Sequence, residues 1–197
     1  MQLHKRDVVA KAAAILDSYG IADLTMRRLA RELDVTPGAL YWHFANKQEL
    51  LGAVADRVLA PACADPEPTG WRMRIEVVCR ALRDALLSHT DGAELVSASF
   101  AAGQSRAVEQ ILGVLAEAAG EAGVDTAHRV QAARTVLHYV LGATADEQSR
   151  LQWDAAGAEL PEHQSVLSGD PSAGFAFGLR LLTDGLAVQR VSSAELG

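Results

Sequence analysis

The chain has 197 residues, 49% of them hydrophobic, and a net charge of −7, so it can bury a sizeable core in one or two domains. It lacks any run of about 18 apolar residues, which argues against a membrane span, and its two cysteines, Cys63 and Cys79, are too few for a disulfide framework or a zinc site. Charges come early and often in MQLHKRDVVAKAAAILD, unlike a signal peptide, and a reduced cytosol is the expected compartment.

His4 to about Gly20 reads as a helix, with Val8, Val9, Ala12, Ile15 and Leu16 on one face and Lys5, Arg6 and Lys11 on the other. Its basic start is placed either to meet a phosphate or to stay solvated. Thr25 then stands where an N-cap opens a short helix, Met26 to Glu32. The break falls at Leu33-Asp34-Val35, because Asp is among the few non-glycine residues that tolerate a left-handed turn. Thr36 caps a second short helix ending near Trp42, with Pro37 in its first turn, where the missing N–H costs nothing. Leu29, Ala30, Leu33, Val35, Leu40 and Phe44 recur at spacings that let two crossing helices share a small core. This is a helix-turn-helix. Asn46-Lys47-Gln48-Glu49 is a capping-box pattern that opens a longer helix through Leu59.

Residues 61–70, PACADPEPTG, read as a loop. The domain boundary is placed there, giving residues 1–60 and 61–197. The first part carries 8 Lys+Arg against 7 Asp+Glu, and the second 10 against 18, a balance that suits contact with phosphate at one end only. Trp71 to Leu87 is an amphipathic helix, with Ile75, Val78, Leu82, Ala85 and Leu86 inward and Arg72, Arg80, Arg83 and Asp84 outward. Asp91-Gly92 makes a turn into a short helix ending near Phe100. Ala107 to Ala122 is a further helix closed by Gly123, and Asp125 or Thr126 caps a long one to about Trp153, apolar at Val130, Ala133, Val136, Leu137, Val140 and Leu141. Residues 154–172 read as a loop. The last helix, Ser172 to Val191, is apolar around most of its girth at Phe175, Phe177, Leu179, Leu181, Leu182, Leu186 and Val188. Such a helix needs a second partner, and another copy of the chain supplies one. With no strand-like alternation anywhere, the expected fold is all-α: a three-helix helix-turn-helix head on a larger helical ligand-binding and dimerisation domain.

Two features carry candidate chemistry. Leu40 and Phe44 must point inward, which turns Thr36, Pro37, Gly38, Ala39, Tyr41, Trp42 and His43 towards solvent or a groove. Flat amphipathic side chains suit thymine methyls, sugars and phosphates; packing of Tyr41 or Trp42 on the first helix is the alternative. In the second part, His138 and Asp146 lie two turns apart on one helix, set either to meet a ligand or to form an ordinary solvated face. The histidines lack the i, i+4 spacing of a helical metal site. No nucleophile elbow, phosphate loop or carboxylate pair argues for catalysis, and no cofactor is expected.

LTMRRLARELDVTPGALYWHFANKQELL closely resembles the DNA-binding domain of the TetR family of bacterial repressors, and ALLSHTDGAEL and HYVLGATADEQ resemble segments of its tetracycline-responsive members. The resemblance implies that the second short helix enters the major groove, that Arg27 and the outward residues from Thr36 to His43 contact DNA, and that Lys47 contacts phosphate. Pro37 and Ala39 stand where those members present Gln and Thr to base edges, so a different operator is implied. It also implies that Asp146 occupies the place of a carboxylate that helps hold magnesium–tetracycline. Val96 replaces the magnesium-binding histidine, however, and Cys63, Val78 and Ile111 replace polar drug-binding residues. Losing those partners removes much of the affinity for a polar drug, so a more hydrophobic effector without magnesium is expected. The candidate pocket comprises Val78, Leu82, Leu86, Val96, Phe100, Ile111, Leu115, His138 and Asp146, each of which also fits ordinary packing.

The expected protein is a homodimeric, ligand-responsive transcriptional repressor on a palindromic operator. The rivals are a DNA-binding regulator without a small-molecule effector, and a small-molecule-binding helical protein whose head is vestigial.

Overall fold

The computed structural model of the chain describes residues 3–63, 70–158, 161 and 170–195, with side chains to residue 188 in the last helix. It is all-α, with no strand among the described residues. The helices are α1 (Lys5–Tyr19), α2 (Met26–Glu32), α3 (Pro37–Tyr41), α4 (Lys47–Leu59), α5 (Trp71–Leu87), α6 (Gly92–Ala101), α7 (Arg106–Ala122), α8 (Arg129–Ala155) and α9 (Pro171–Glu195). Among the described residues none is long and apolar enough to cross a membrane.

Local chemistry sets most of the helix ends. The Thr25 hydroxyl accepts the Arg28 N–H at 3.1 Å and opens α2. Asp34 takes φ 53° in the turn that follows, as its side chain permits. The Asn46 carbonyl accepts the Glu49 N–H at 2.8 Å. The return bond of this capping box is displaced by one residue, the Glu49 carboxylate accepting from Ala45 N–H at 2.9 Å.

Several expectations need correction. Thr36 holds the N-cap position of α3 without a side-chain cap bond. Residues 60–63, including Pro61, form a 3-10 turn that extends α4; residues 64–69 of the expected loop lie outside the described residues, as do residues 159–160 and 162–169 of the later one. The long helix starts at Arg129, because the Asp125 carboxylate accepts the Ala127 N–H at 2.8 Å and holds a separate turn before it. Val130 is exposed, while Arg83, expected outward, is buried. Its guanidinium forms a two-pronged pair with Glu147, Nε to Oε2 at 2.9 Å and Nη2 to Oε1 at 2.7 Å, which supplies the partner a buried cation requires.

The α1–α3 head and the body share one continuous core through α4. Leu50, Leu51, Val54, Ala55, Val58 and Leu59 of α4 are all buried. The helix packs on α1 at one end and on α6 and α7 at the other. Gly52 makes the second contact possible: a Cβ there would lie 2.1 Å from the Gln104 carbonyl oxygen. One turn on, Asp56 Oδ1 accepts from the Ser105 hydroxyl at 2.7 Å and the Ala107 N–H at 3.0 Å.

Gly52→Ala forces α4 and the 104 turn apart and is expected to cost ~1–3 kcal/mol in urea unfolding, the range for overpacking. Gly113→Ala, where a Cβ meets nothing within 4 Å, is expected to gain ~0.5–1 kcal/mol from helix propensity. Equal responses at the two positions would contradict the close approach.

Glu49 predicts a pH effect. The Ala45 N–H, and after it Lys5 at 3.2 Å, hold its carboxyl below the ordinary glutamate value. A folded-state pKa below the unfolded one gives stability that is present above the unfolded value and lost as pH falls through the folded value. Glu49→Gln should therefore lower Tm at neutral pH. That gap should narrow as melts are carried down through the ordinary glutamate range and below it; a gap independent of pH would contradict the assignment.

Candidate nucleic-acid interface

α3 is five residues long, too short to stand alone. Its inner side is fixed by Leu40 and by Phe44 just beyond it, both fully buried. Phe44 and His43 donate their N–H groups to the Leu40 carbonyl at 3.0 and 2.9 Å, which closes the helix. The outer side is then free of internal work. Trp42 is 91% exposed and Tyr41 52%, so Trp42 does not buttress the domain, and half of Tyr41 faces solvent.

Thr36, Pro37, Gly38 and Arg27 are exposed beside them, while Ala39, His43 and Lys47 are half-buried. Thus α3, the start of α2 and the start of α4 present the predicted residues around one small unit. The neighbouring cations have different surroundings. Arg28 is drawn to Asp23 at 2.7 Å and stacks over the Tyr19 ring at 3.6 Å. Lys5 pairs with Glu49 and lies over the Phe44 ring at 4.6 Å. These contacts fasten α1 to α2 and α4, and they leave Arg27 and Lys47 without an acidic partner among the described residues. The Tyr19–Arg28–Asp23 clamp escapes sequence reading, because its members lie on a helix, a loop and the next helix with no periodic relation.

The candidate ligand residues divide. Val78, Leu82, Leu86, Val96, Ile111 and Leu115 are buried within the core. Phe100 is half-buried, with the His138 ring 5.6 Å away and the Arg134 guanidinium 4.9 Å over it. His138 and Asp146 are exposed on α8, and Asp146 pairs with Arg150 one turn on. An inward carboxylate is thus corrected to an outward one: Val140, Leu141 and Thr144 take the buried positions of that stretch. Among the described residues no group of three or more His, Cys, Asp or Glu side chains is placed to hold a metal ion. Burial pushes the Cys79 thiol up to about 12, which keeps it protonated and inert.

Comparison with known proteins bears on this arrangement. Residues 8–54 match the family model described as bacterial regulatory proteins, tetR family, and residues 64–190 match the tetracyclin repressor-like C-terminal domain. The tetracycline repressor protein class A from transposon 1721 of Escherichia coli is 32% identical, over 96% of this chain and 93% of that protein. The crystal structure of Mycobacterium smegmatis BioQ is 65% identical with a TM-score of 0.89, covering 95% of this chain and 99% of that one. A structure of BioQ with its natural double-stranded DNA operator is 63% identical with a TM-score of 0.83, covering 94% and 99%. A helix-turn-helix with an exposed aromatic outer face, on a helical body matched by its own family model, places the chain in the TetR family of bacterial regulatory proteins.

Proposed function

We propose that the protein is a homodimeric transcriptional repressor that reads a palindromic operator through α3 and is released by a small hydrophobic effector. The observation that carries the DNA half is the exposure of Tyr41 and Trp42 on the far side of a helix whose inner residues are fully buried. Apolar surface of that size is costly to leave bare and fits a partner surface. The operator complex of the similar BioQ supports it.

In this reading residues 1–60 form the head and 61–197 the body. Arg27 and the outward residues Thr36, Pro37, Gly38, Ala39, Tyr41, Trp42 and His43 meet DNA, and Lys47 meets phosphate. With Pro37, Gly38 and Ala39 in the middle of the reading surface, few side chains offer paired hydrogen bonds to bases. Arg27 is the main one, and shape and apolar contact carry more of the specificity.

Dimerisation is supported by α9. Phe177, Leu181 and Val188 are 55%, 58% and 62% exposed and recur at helical spacing. They run beside an exposed face of α8 that contains Thr135, His138 and Gly142. A second copy laid on this surface covers both stripes and sets two heads in successive major grooves, roughly 34–36 Å apart. An effector then acts by binding better to an arrangement in which the two α4 helices splay. The apolar character of the residues from Val78 to Leu115, with Phe100 at their margin, suits a hydrophobic molecule. The closed packing of the same residues favours a second reading, a DNA-binding regulator that takes no small molecule.

Selection of bound duplexes from a random pool at moderate salt should enrich a palindrome. Tyr41→Ala with Trp42→Ala should then weaken binding to it at least about ten-fold, as loss of interface anchors does, with Tm unchanged because both side chains are exposed. Failure of the folded protein to enrich any sequence would overturn the DNA half. A compound screen that shifts neither Tm nor operator affinity would favour the second reading.

A further inference from the structure

Among the described residues, hydrogen bonds tie the head to the body at a place off α4 as well as along α4 itself. There Gly52 and Asp56 seat the helix on the 104–107 segment. α4 packs on α5, α6 and α7 along its length, and a contact off its axis has more leverage against rotation of the head about it. The second attachment lies off that axis, where residues 89–91 of the α5–α6 turn meet the end of α1. The Thr90 hydroxyl donates to the Asp17 carbonyl at 3.0 Å, and His89 Nδ1 lies 2.9 Å from the Asp17 carboxylate. Asp91 Oδ2 accepts the Ile21 N–H at 2.9 Å, just past α1.

The other oxygen of the same carboxylate looks the opposite way. Asp91 Oδ1 accepts from Gln152 Nε2 at 2.8 Å. One turn earlier on α8, the buried Gln148 amide donates to the Leu86 and His89 carbonyls at 3.1 and 2.8 Å and accepts the Ala93 N–H at 3.0 Å. One face of α8 therefore holds the turn from behind while the turn holds the head. Two backbone features shape it for this. Asp91 takes φ 53° at the N-cap position of α6, and Gly20 leaves room for the carboxylate, since a Cβ there would sit 2.6 Å from Oδ2.

Resting on the reading above that the protein binds DNA as a dimer, we propose that Asp91 is a positioning residue for operator recognition. By bridging Ile21 of the head and Gln152 of α8, it fixes the rotation of each head about α4 and thereby the half-site spacing that the dimer accepts. It touches no DNA. Since α8 also carries the outer face assigned to the partner subunit, the bridge ties each head to the helix nearest the dimer axis. A small rotation of either head displaces its α3 by a base-pair step, ~3.4 Å, which a rigid pair of readers does not tolerate.

Asp91→Gly tests this cleanly, because glycine keeps the left-handed turn and removes only the carboxylate. Asp91→Asn restores an acceptor for Ile21 and, with a rotated amide at Gln152, the second bond. Duplexes carrying one selected half-site pair at spacings changed by one base pair either way provide the readout. The parent should prefer one spacing by at least about ten-fold, and Asp91→Gly should bind an isolated half-site within about two-fold of the parent while its spacing preference falls below about three-fold. Asp91→Asn should recover the preference, and Gln152→Ala, an exposed change that breaks only the α8 side, should lose part of it. An unchanged spacing preference in Asp91→Gly overturns the proposal. A second measurement needs no DNA: the distance distribution between spin labels at Glu32→Cys and Glu117→Cys, in Cys63→Ser protein diluted with unlabelled chains. It should be narrow in the parent and broad in Asp91→Gly at equal Tm, and equal widths overturn the proposal even where no operator has been selected.

Discussion

Everything in this molecule depends on α4 belonging to the head and the body at once. Its Leu50, Leu51, Val54, Ala55, Val58 and Leu59 are buried in the one core that head and body share, and α1, α5, α6 and α7 all pack against the helix. A helix buried on opposite sides along 13 residues cannot shift at one end without repacking at the other, since interiors are close-packed and resist small deformations. The glycine at position 52 admits the Gln104 backbone to van der Waals range. Asp56 then satisfies the donors at the start of α7. The head is thus carried by the body, and its five-residue α3 gains from that support the order it lacks by itself.

The electrostatics follow the same division of labour. Acidic charge outweighs basic charge in residues 61–197, while the first 60 are nearly balanced. Within the head most cations that hold the fold together are already engaged: Arg28 by Asp23 and Tyr19, and Lys5 by Glu49 and Phe44. What remains towards solvent around α3 is a small set: Arg27, two aromatics and Lys47 at the flank.

Much of this was legible in the sequence, because the decisive signals were local. Thr25, Asp34, Pro37 and Asn46 each announce a backbone conformation through the chemistry of one side chain, and α2 and α5 run between the expected ends. Ile75, Val78, Leu82, Ala85 and Leu86 of α5 are buried as their spacing predicts. Features set by distant partners were not legible. Arg83 reads as an outward cation until Glu147 arrives from 64 residues away. Asp125 caps a turn rather than the helix it precedes. Asp146 reads more readily as a surface charge than as an inward ligand, and the rotation of α8 puts it at the surface. The junction at Asp17, His89 and Asp91 joins three elements by single hydrogen bonds, and no period or motif marks it. Likewise the exposed stripe of α9 follows from composition, whereas its cover is a question of assembly.

The most direct test of that assembly is the mass of the protein–operator complex, measured by sedimentation or native mass spectrometry on a selected palindromic duplex. Two heads fixed to one dimer require two chains per duplex, formed in a single step with no one-chain species accumulating, and much weaker binding to a duplex carrying one half-site. A stable complex of one chain per duplex, or equal affinity for half and whole sites, would contradict a dimeric reader.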